Sequence, residues 1–207
     1  MSDDAIDNTL AVPLFPLQAV LLPGTLLPLR IFEARYLDMI SASLRQRRPF
    51  GIVPIRQGYE VGAPADFFPF GTLATVESFD QGSDGLLHVR VLGTVRFRVE
   101  RHTVQANTLT VADITSVAAA IDQPIPQDLA YLPSLLKDIF EANAEQLPYR
   151  ELQLDSALWV AYRLTELLPL AAAAKVAVLQ ADDGLAALSR LDAGIRAASS
   201  PPPKGTH

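Results

Sequence analysis

The pattern of apolar and polar positions changes once along the chain. Up to about Ser116 it reads as strands with one early helix, and after about Gln123 as helices only. The opening stretch, "PLFPLQAVLLPGTLLPLRIFEARY" (13–36), is rich in leucine but broken by Pro13, Pro16, Pro23 and Pro28. Each proline removes a ladder donor, which favours edge strands and bends over a central strand. Pro23-Gly24 marks a turn, so the stretch predicts strand, turn, strand and then a helix from about Phe32 or Glu33. Phe32, Tyr36, Leu37, Ile40 and Leu44 recur at helical spacing and are expected to face a core. Glu33 suits the positive end of that helix, and Pro49 stops it behind Arg45, Arg47 and Arg48.

Further along, "GTLATVESF" (71–79) and "GLLHVRVLG" (85–93) flank a loop ending in Asp84-Gly85, which predicts a hairpin. In "TVRFRVERH" (94–102) the alternation sends Val95, Phe97 and Val99 one way and Arg96, Arg98 and Glu100 the other. "TLTVADITSV" (108–117) supplies a last strand. Several short strands with tight turns suggest a small, partly closed barrel or a strongly bent sheet. The second half predicts four short helices. The first lies within 126–146, starting at about Pro133. The second is 156–168, capped by Asp155, with its apolar face expected inward, either Leu158, Tyr162 and Leu164 or Trp159, Tyr162 and Arg163. The third is 171–183 and the fourth 185–198. "VAAAIDQPIP" (117–126) reads as the boundary between the halves, and "SSPPPKGTH" (199–207) as a disordered tail.

Composition narrows the function classes. The 207 residues include no cysteine, which excludes disulfides, thiolate metal sites and cysteine catalysis and fits a reducing cytoplasm. A formal net charge of −6 opposes nucleic-acid binding globally. No apolar run reaches the ~18 residues that would span a bilayer, and Met1 to Asn8 carry three aspartates and no basic residue, so neither a membrane span nor a secretory signal is expected.

The search for chemistry returns mostly absences. There is no phosphate-cradling loop, no H-E-x-x-H and no G-x-S-x-G. His88, His102 and His207 are scattered, so no metal site is expected. Lys137, Lys175 and Lys204 read as solvated, and no Ser–Lys dyad is expected. No catalytic residue and no cofactor is assigned. In "DFFPF" (66–70) a period of two buries Phe68 and Phe70 and turns Phe67 outward as a contact residue; the alternative packs Phe67 under the neighbouring loop. Arg30, Glu33 and Arg35 are candidates for a polar binding group, or else an ion-pair set fixing the start of the helix. Arg90, Arg96 and Arg98 would make a basic stripe if RNA were bound, although strand charges facing water explain them as well.

Taken together, "PLFPLQAVLLPGTLLPLRIFEARYLDMI", "FGIV" (50–53), "GTLATV" (71–76) and "DGLLHVRVLGTVRFRV" (84–99) resemble the N-terminal domain of the ATP-dependent Lon protease, in its stand-alone bacterial form. "LTELLPLAAAAKVAVLQADDGLAALSRL" (164–191) is similar to that family's closing helices, so the likeness covers roughly 9 to 192. It implies an α+β chain: a flexible N-terminus (1–8), a PUA-like bent β-barrel with one early helix (9–120), a helical bundle (121–198) and the tail. In the protease this region is associated with substrate recognition and assembly, while the ATPase segment and the proteolytic domain with its Ser–Lys pair have no counterpart here. The resemblance therefore implies a non-enzymatic, cytoplasmic module for unfolded or peptide-like protein segments, in a groove between barrel and helices, with Lon or another protease as partner. A receptor for a small molecule is the alternative, and RNA binding, which the PUA-like relation allows, ranks third.

Overall fold

The structure, a computed structural model, describes residues 10–143, 149 and 151–199. The expected flexible N-terminus and all of the expected tail but Ser199 lie outside these residues; Ser199 itself ends a helix. The chain divides between Ala119 and Ala120 into two compact units.

Unit 1 is a mixed sheet of seven strands and one helix. The strands are β1 (Leu10–Leu17), β2 (Leu26–Ile31), β3 (Phe50–Gln57), β4 (Asp66–Phe67), β5 (Phe70–Gln81), β6 (Leu87–Val104) and β7 (Thr110–Ser116), with helix α1 (Ala34–Gln46) between β2 and β3. The pairing order β1-β7-β6-β5-β3 closes on itself, because β3 also pairs with β1 in parallel. β2 lies outside the ring against β6, and β4 against β3.

β1 is therefore not the edge strand that its prolines predict. Its two neighbours are staggered along it. β7 pairs with Leu10 to Leu14, and β3 with Leu14 to Leu17. Pro13 and Pro16, three residues apart, direct their nitrogens to opposite sides of the strand. The stagger allows both nitrogens to face the side with no neighbour at that level.

Two apolar layers share the ring strands. Val12 and Leu14 of β1 belong to one cluster with Val53, Leu73, Phe97, Val99, Ala112 and Ile114, which fills the barrel. Phe15 and Leu17, on the opposite face of β1, join a second cluster with Leu29, Ile31, Tyr36, Met39, Ile40, Val89 and Val91 under α1. Strands buried on both faces read as continuous apolar runs, which is why the opening stretch is so rich in leucine.

β6 serves both layers through one irregularity. Val89 and Val91 face the α1 layer, yet Phe97 and Val99, of the same parity, face the barrel. Between them the register with β5 shifts, from Ala74↔Gly93 to Thr72↔Arg96, so that β6 carries one residue more than β5. Such a bulge reverses the facing of everything beyond it. This corrects the simple alternation expected here. Val95 lies in the bulge and is exposed, whereas Arg96 is buried and donates to the carbonyl of Ala118. Gly93 is required beside the bulge, since a Cβ there would stand 2.3 Å from the carbonyl oxygen of Leu22.

The early helix also starts later than its periodicity suggests. Glu33 is its N-cap, so Phe32 precedes the helix and is 54% exposed instead of joining the core. Leu44 is likewise outside, and Met39 takes an inward place beside Tyr36 and Ile40. The expected hairpin is present, but its second strand and the strand expected at 94–102 are one element, β6.

Unit 2 contains α2 (Tyr131–Ala142), α3 (Ala157–Leu167), α4 (Ala172–Leu179) and α5 (Gly184–Ser199), preceded by a single 3-10 turn at Gln127–Leu129. α2 begins at Tyr131, which leaves Pro133 in its first turn. Ser156, not Asp155, caps α3, accepting from the Trp159 amide at 3.0 Å. α4 stops at Leu179, short of the expected 183. α3 is buried almost all round, including Arg163, so neither expected face describes it. The segment after the boundary ties α3 to α5. Asp122 Oδ1 accepts from the Leu158 amide at 2.9 Å, and the Ile121 carbonyl accepts from the Gly184 amide at 2.8 Å.

On the α2–α5 side of this unit, the Tyr131 hydroxyl donates to Asp192, which Arg196 also holds at 2.9 Å. Burial, then the Asp192 carboxylate, pushes the Tyr131 hydroxyl up to about 12 from an ordinary 10.0. A raised folded-state value stabilises fully below the unfolded value and is lost as pH rises through the folded one. Unit 2 is therefore expected to weaken between about pH 10 and 12, and Tyr131→Phe to flatten that decline. Denaturant midpoints of both proteins across this range check it.

Candidate functional site

The start of α1 and the strand before it shape an apolar cleft of about 330 Å³ on unit 1. Its floor is Phe15 stacked on Tyr36, with ring centroids 4.0 Å apart and planes at 20°, together with Leu29 and Ile31. Phe32 and Val61, each 54% exposed, form its walls. The loop that carries Val61 is pinned. Glu60 Oε1 accepts from the Gln18 amide at 2.6 Å, and Gln18 Nε2 donates to the Gly58 carbonyl at 3.3 Å. Arg30, Glu33 and Glu60 line the rim. Burial holds the Tyr36 hydroxyl above its ordinary range, the nearby Arg35 cation opposing it, so this floor is neutral at physiological pH.

Phe32 also lines a second apolar cleft, of about 550 Å³, with Leu37, Phe79 and Leu87. Sequence periodicity missed Phe32 because it assigned that side chain to the core. The signal that could have found it was the helix boundary, since Glu33 is the last residue before α1 in extended conformation.

The four sequence-derived candidates separate. Arg35 is 6% exposed and works as a clasp. It pairs with Glu33 at 2.9 Å, donates to the Thr108 carbonyl at 3.0 Å and to Thr108 Oγ1 at 3.1 Å, and lies 4.6 Å from the Tyr36 ring centre. Thr108 is in the left-handed region (φ 64), in the β6–β7 turn, so Arg35 fixes that turn to the start of α1. Arg30 is exposed, on the opposite face of β2 from Leu29 and Ile31. Phe67 is not an outward contact residue. It is 7% exposed in the barrel cluster, with its ring 5.0 Å from that of His102. The two-residue strand β4 ends there, and the Phe70 amide bonds back to the Phe68 carbonyl at 2.7 Å, which resets the period.

The expected arginine stripe does not form as one surface. Arg90 and Arg98 are exposed, but Arg96 is buried. In unit 2, Lys175 is half-buried where a solvated face was expected; burial lowers its pKa, and its Nζ lies 3.5 Å from the Glu166 carbonyl. Among the described residues no group of three or more His, Asp or Glu is placed to hold a metal, and no helix is long and apolar enough to cross a membrane.

Comparison with known proteins agrees with this architecture. Residues 11–191 match the family model described as the ATP-dependent protease La (LON) substrate-binding domain. Among solved structures, the chain is similar to a Lon N-terminal domain protein from Xanthomonas campestris. Identity is 36%, the TM-score is 0.73, and 89% of this chain and 98% of that one are covered. The N-terminal domain of the Mycobacterium avium complex Lon protease shares the fold at 17% identity, with a TM-score of 0.60 over 90% of this chain and 98% of that one. No curated protein matches. The matched family is one of substrate-binding domains. With that match running from β1 to α5, the chain belongs to the Lon substrate-binding domain family.

Proposed function

We propose that this chain is a non-enzymatic binding module, adaptor-like or chaperone-like, that holds unfolded or peptide-like protein segments in the cleft around Phe32. A cytoplasmic setting, with Lon or another protease as partner, goes with this reading. The observation that carries it is the exposure of Phe32 beside a floor of stacked aromatic rings. A large apolar side chain held in water next to a preformed apolar cleft is the arrangement expected of an anchor for another chain's apolar residue.

Docking by side chains is favoured over strand addition. Among the described residues β2 pairs only with β6, which leaves its outer edge open. The Gly93 amide donates to the Thr25 carbonyl, which sets the phase: the odd residues of β2 turn their backbone groups to β6, and Leu26, Pro28 and Arg30 turn theirs outward. The middle donor of the free edge is then missing at Pro28, and an added strand would lose a bond there.

Phe32→Ala is expected to lower affinity for apolar peptides by about tenfold or more, the scale of an interface anchor. Because the side chain is exposed, stability should stay within about 0.5 kcal/mol. A peptide array followed by anisotropy titrations checks this. Equal binding of apolar and polar segments by the unaltered protein overturns the reading. A cleft of about 330 Å³ also suits a small molecule. That second reading is favoured if native mass spectrometry of the purified protein finds a bound compound that Phe32→Ala loses.

A further inference from the structure

The outward face of the ribbon formed by β5, β6 and β2 adjoins the Phe32 cleft, and its charges are arranged unevenly. Register places Arg30 opposite His88 and His88 opposite Asp80; one step along, Pro28 is opposite Arg90 and Arg90 opposite Ser78. Arg30 and Arg90 are therefore diagonal neighbours on one face, with Cβ atoms about 7 Å apart. Both are exposed, and neither makes an ion pair with a described residue. Of the carboxylates around them, two are engaged elsewhere and two on β5 stand close without pairing. Asp84 is bonded to the Leu86 amide at 3.0 Å and to His88 at 3.1 Å, which holds it below the usual carboxylate range. Glu33 pairs with Arg35, while Asp80 of β5 is as much a diagonal neighbour of Arg90 as Arg30 is, and Glu77 lies in the β5 bulge beside it, yet neither makes an ion pair with Arg30 or Arg90.

Arg30 lines both the apolar cleft and the adjoining hollow of about 470 Å³ that contains Arg90, His88, Ser78 and Asp80. Arg30, on the far face of β2 from the apolar floor, thus joins that cleft, over the outer edge of the strand, to a second guanidinium of like charge. A carboxylate placed between them would relieve their repulsion and accept charge-assisted hydrogen bonds from both guanidinium groups.

We propose that the occupant of this surface is a polypeptide segment with an apolar side chain in the Phe32 cleft and an adjacent acidic side chain, Asp or Glu, held between Arg30 and Arg90. This rests on the peptide-binding reading above and names its substrate class. The two arginines set the preference for flanking charge, while the cleft supplies the common affinity.

The test uses the full chain and three short peptides with the same apolar centre, flanked by Glu, Gln or Lys, titrated by fluorescence anisotropy at low and high salt. The expected result is that the Glu-flanked peptide binds about three- to tenfold tighter than the Gln-flanked one, as exposed charge-assisted pairs allow, and that high salt erases the difference. Arg30→Glu with Arg90→Glu should reverse the order to favour the Lys-flanked peptide over the Glu-flanked one. If all three peptides bind equally, or the double variant keeps the original order, this inference is overturned and the apolar reading stands. If none of the peptides binds, both are overturned. A single-stranded RNA that competes better than the Glu-flanked peptide, and loses to the same double variant, would also overturn it.

Discussion

Phe97→Ala should cost unit 1 about 3–5 kcal/mol, the usual range for emptying a fully buried aromatic site, and so a large part of a typical domain's stability. Phe97 has no exposed surface and stands at the centre of the barrel cluster. Its ring fills space that two strands have cleared for it. A Cβ on Gly51 would lie 2.7 Å from Phe97 Cζ, and one on Gly71 2.9 Å from the same atom. The surroundings are ring strands closed on each other, so they relax poorly into a void. The same geometry predicts coupling. Gly51→Ala alone forces the Phe97 ring and the Leu14 Cδ2 atom, 2.6 Å from the new Cβ, to shift. In the Phe97→Ala background only the leucine tip must move, so the double variant should be more stable than the sum of the single effects. Calorimetric unfolding of the four proteins of the cycle measures this; strict additivity would show that the ring and Gly51 do not share that space.

The second large effect belongs to unit 2. Arg163 is 2% exposed, pairs with Glu166 at 3.2 Å, donates to the Tyr149 hydroxyl and lies 4.6 Å from the Tyr149 ring centre. The Tyr149 hydroxyl passes the bond on to Glu166 at 2.8 Å. Tyr149 also packs among Phe140 and Trp159, with centroids at 6.0 and 6.3 Å. Arg163→Ala removes a buried cation from beside Glu166 and Tyr149 and opens a hole beneath the aromatic group, so a loss of about 3 kcal/mol or more is expected. Replacing both partners, as Arg163→Met with Glu166→Gln, removes both charges together and should cost less than the single change. Trp159 is the only tryptophan, so its fluorescence reports this unit. A shift in midpoint under about 0.5 kcal/mol for Arg163→Ala would show that the cluster carries little of the unit's stability.

These two residues also mark where the sequence was readable and where it was not. The hairpin at Asp84-Gly85, the helix before Pro49 and four short helices after 123 follow from local turn chemistry and periodicity, which act within a few residues. Phe97 was placed correctly for the same reason. Arg163 and Arg96 were not, since a hydropathy pattern counts any arginine as solvent-facing. Arg96 is buried beyond a bulge, on the Ala118 carbonyl, and Arg163 beneath Tyr149, which lies outside its helix, with Glu166 one turn on. Phe32 and Phe67 failed in opposite directions, each because an element boundary moved by one or two residues and changed the phase. The prolines of β1 were read as marks of an edge because the stagger of its two neighbours has no local signature. At the candidate site, Arg30 could be named from the sequence, but its neighbour across the ribbon, Arg90, needed the β2–β6 register.

The ring closure through β1 has a consequence for how the molecule is made. β1 finds one partner in β3, about 40 residues on, and the other in β7, about 100 residues on. Contacts of such long range are slow to form, because the loop they close must be ordered first. During synthesis the first strand leaves the ribosome long before the strand that completes its pairing. It must wait, with leucines on both faces, until Thr110 to Ser116 emerge. Pro13 and Pro16 then have a second use: they deny a neighbouring nascent chain a continuous row of donors along the strand that waits longest for its last partner.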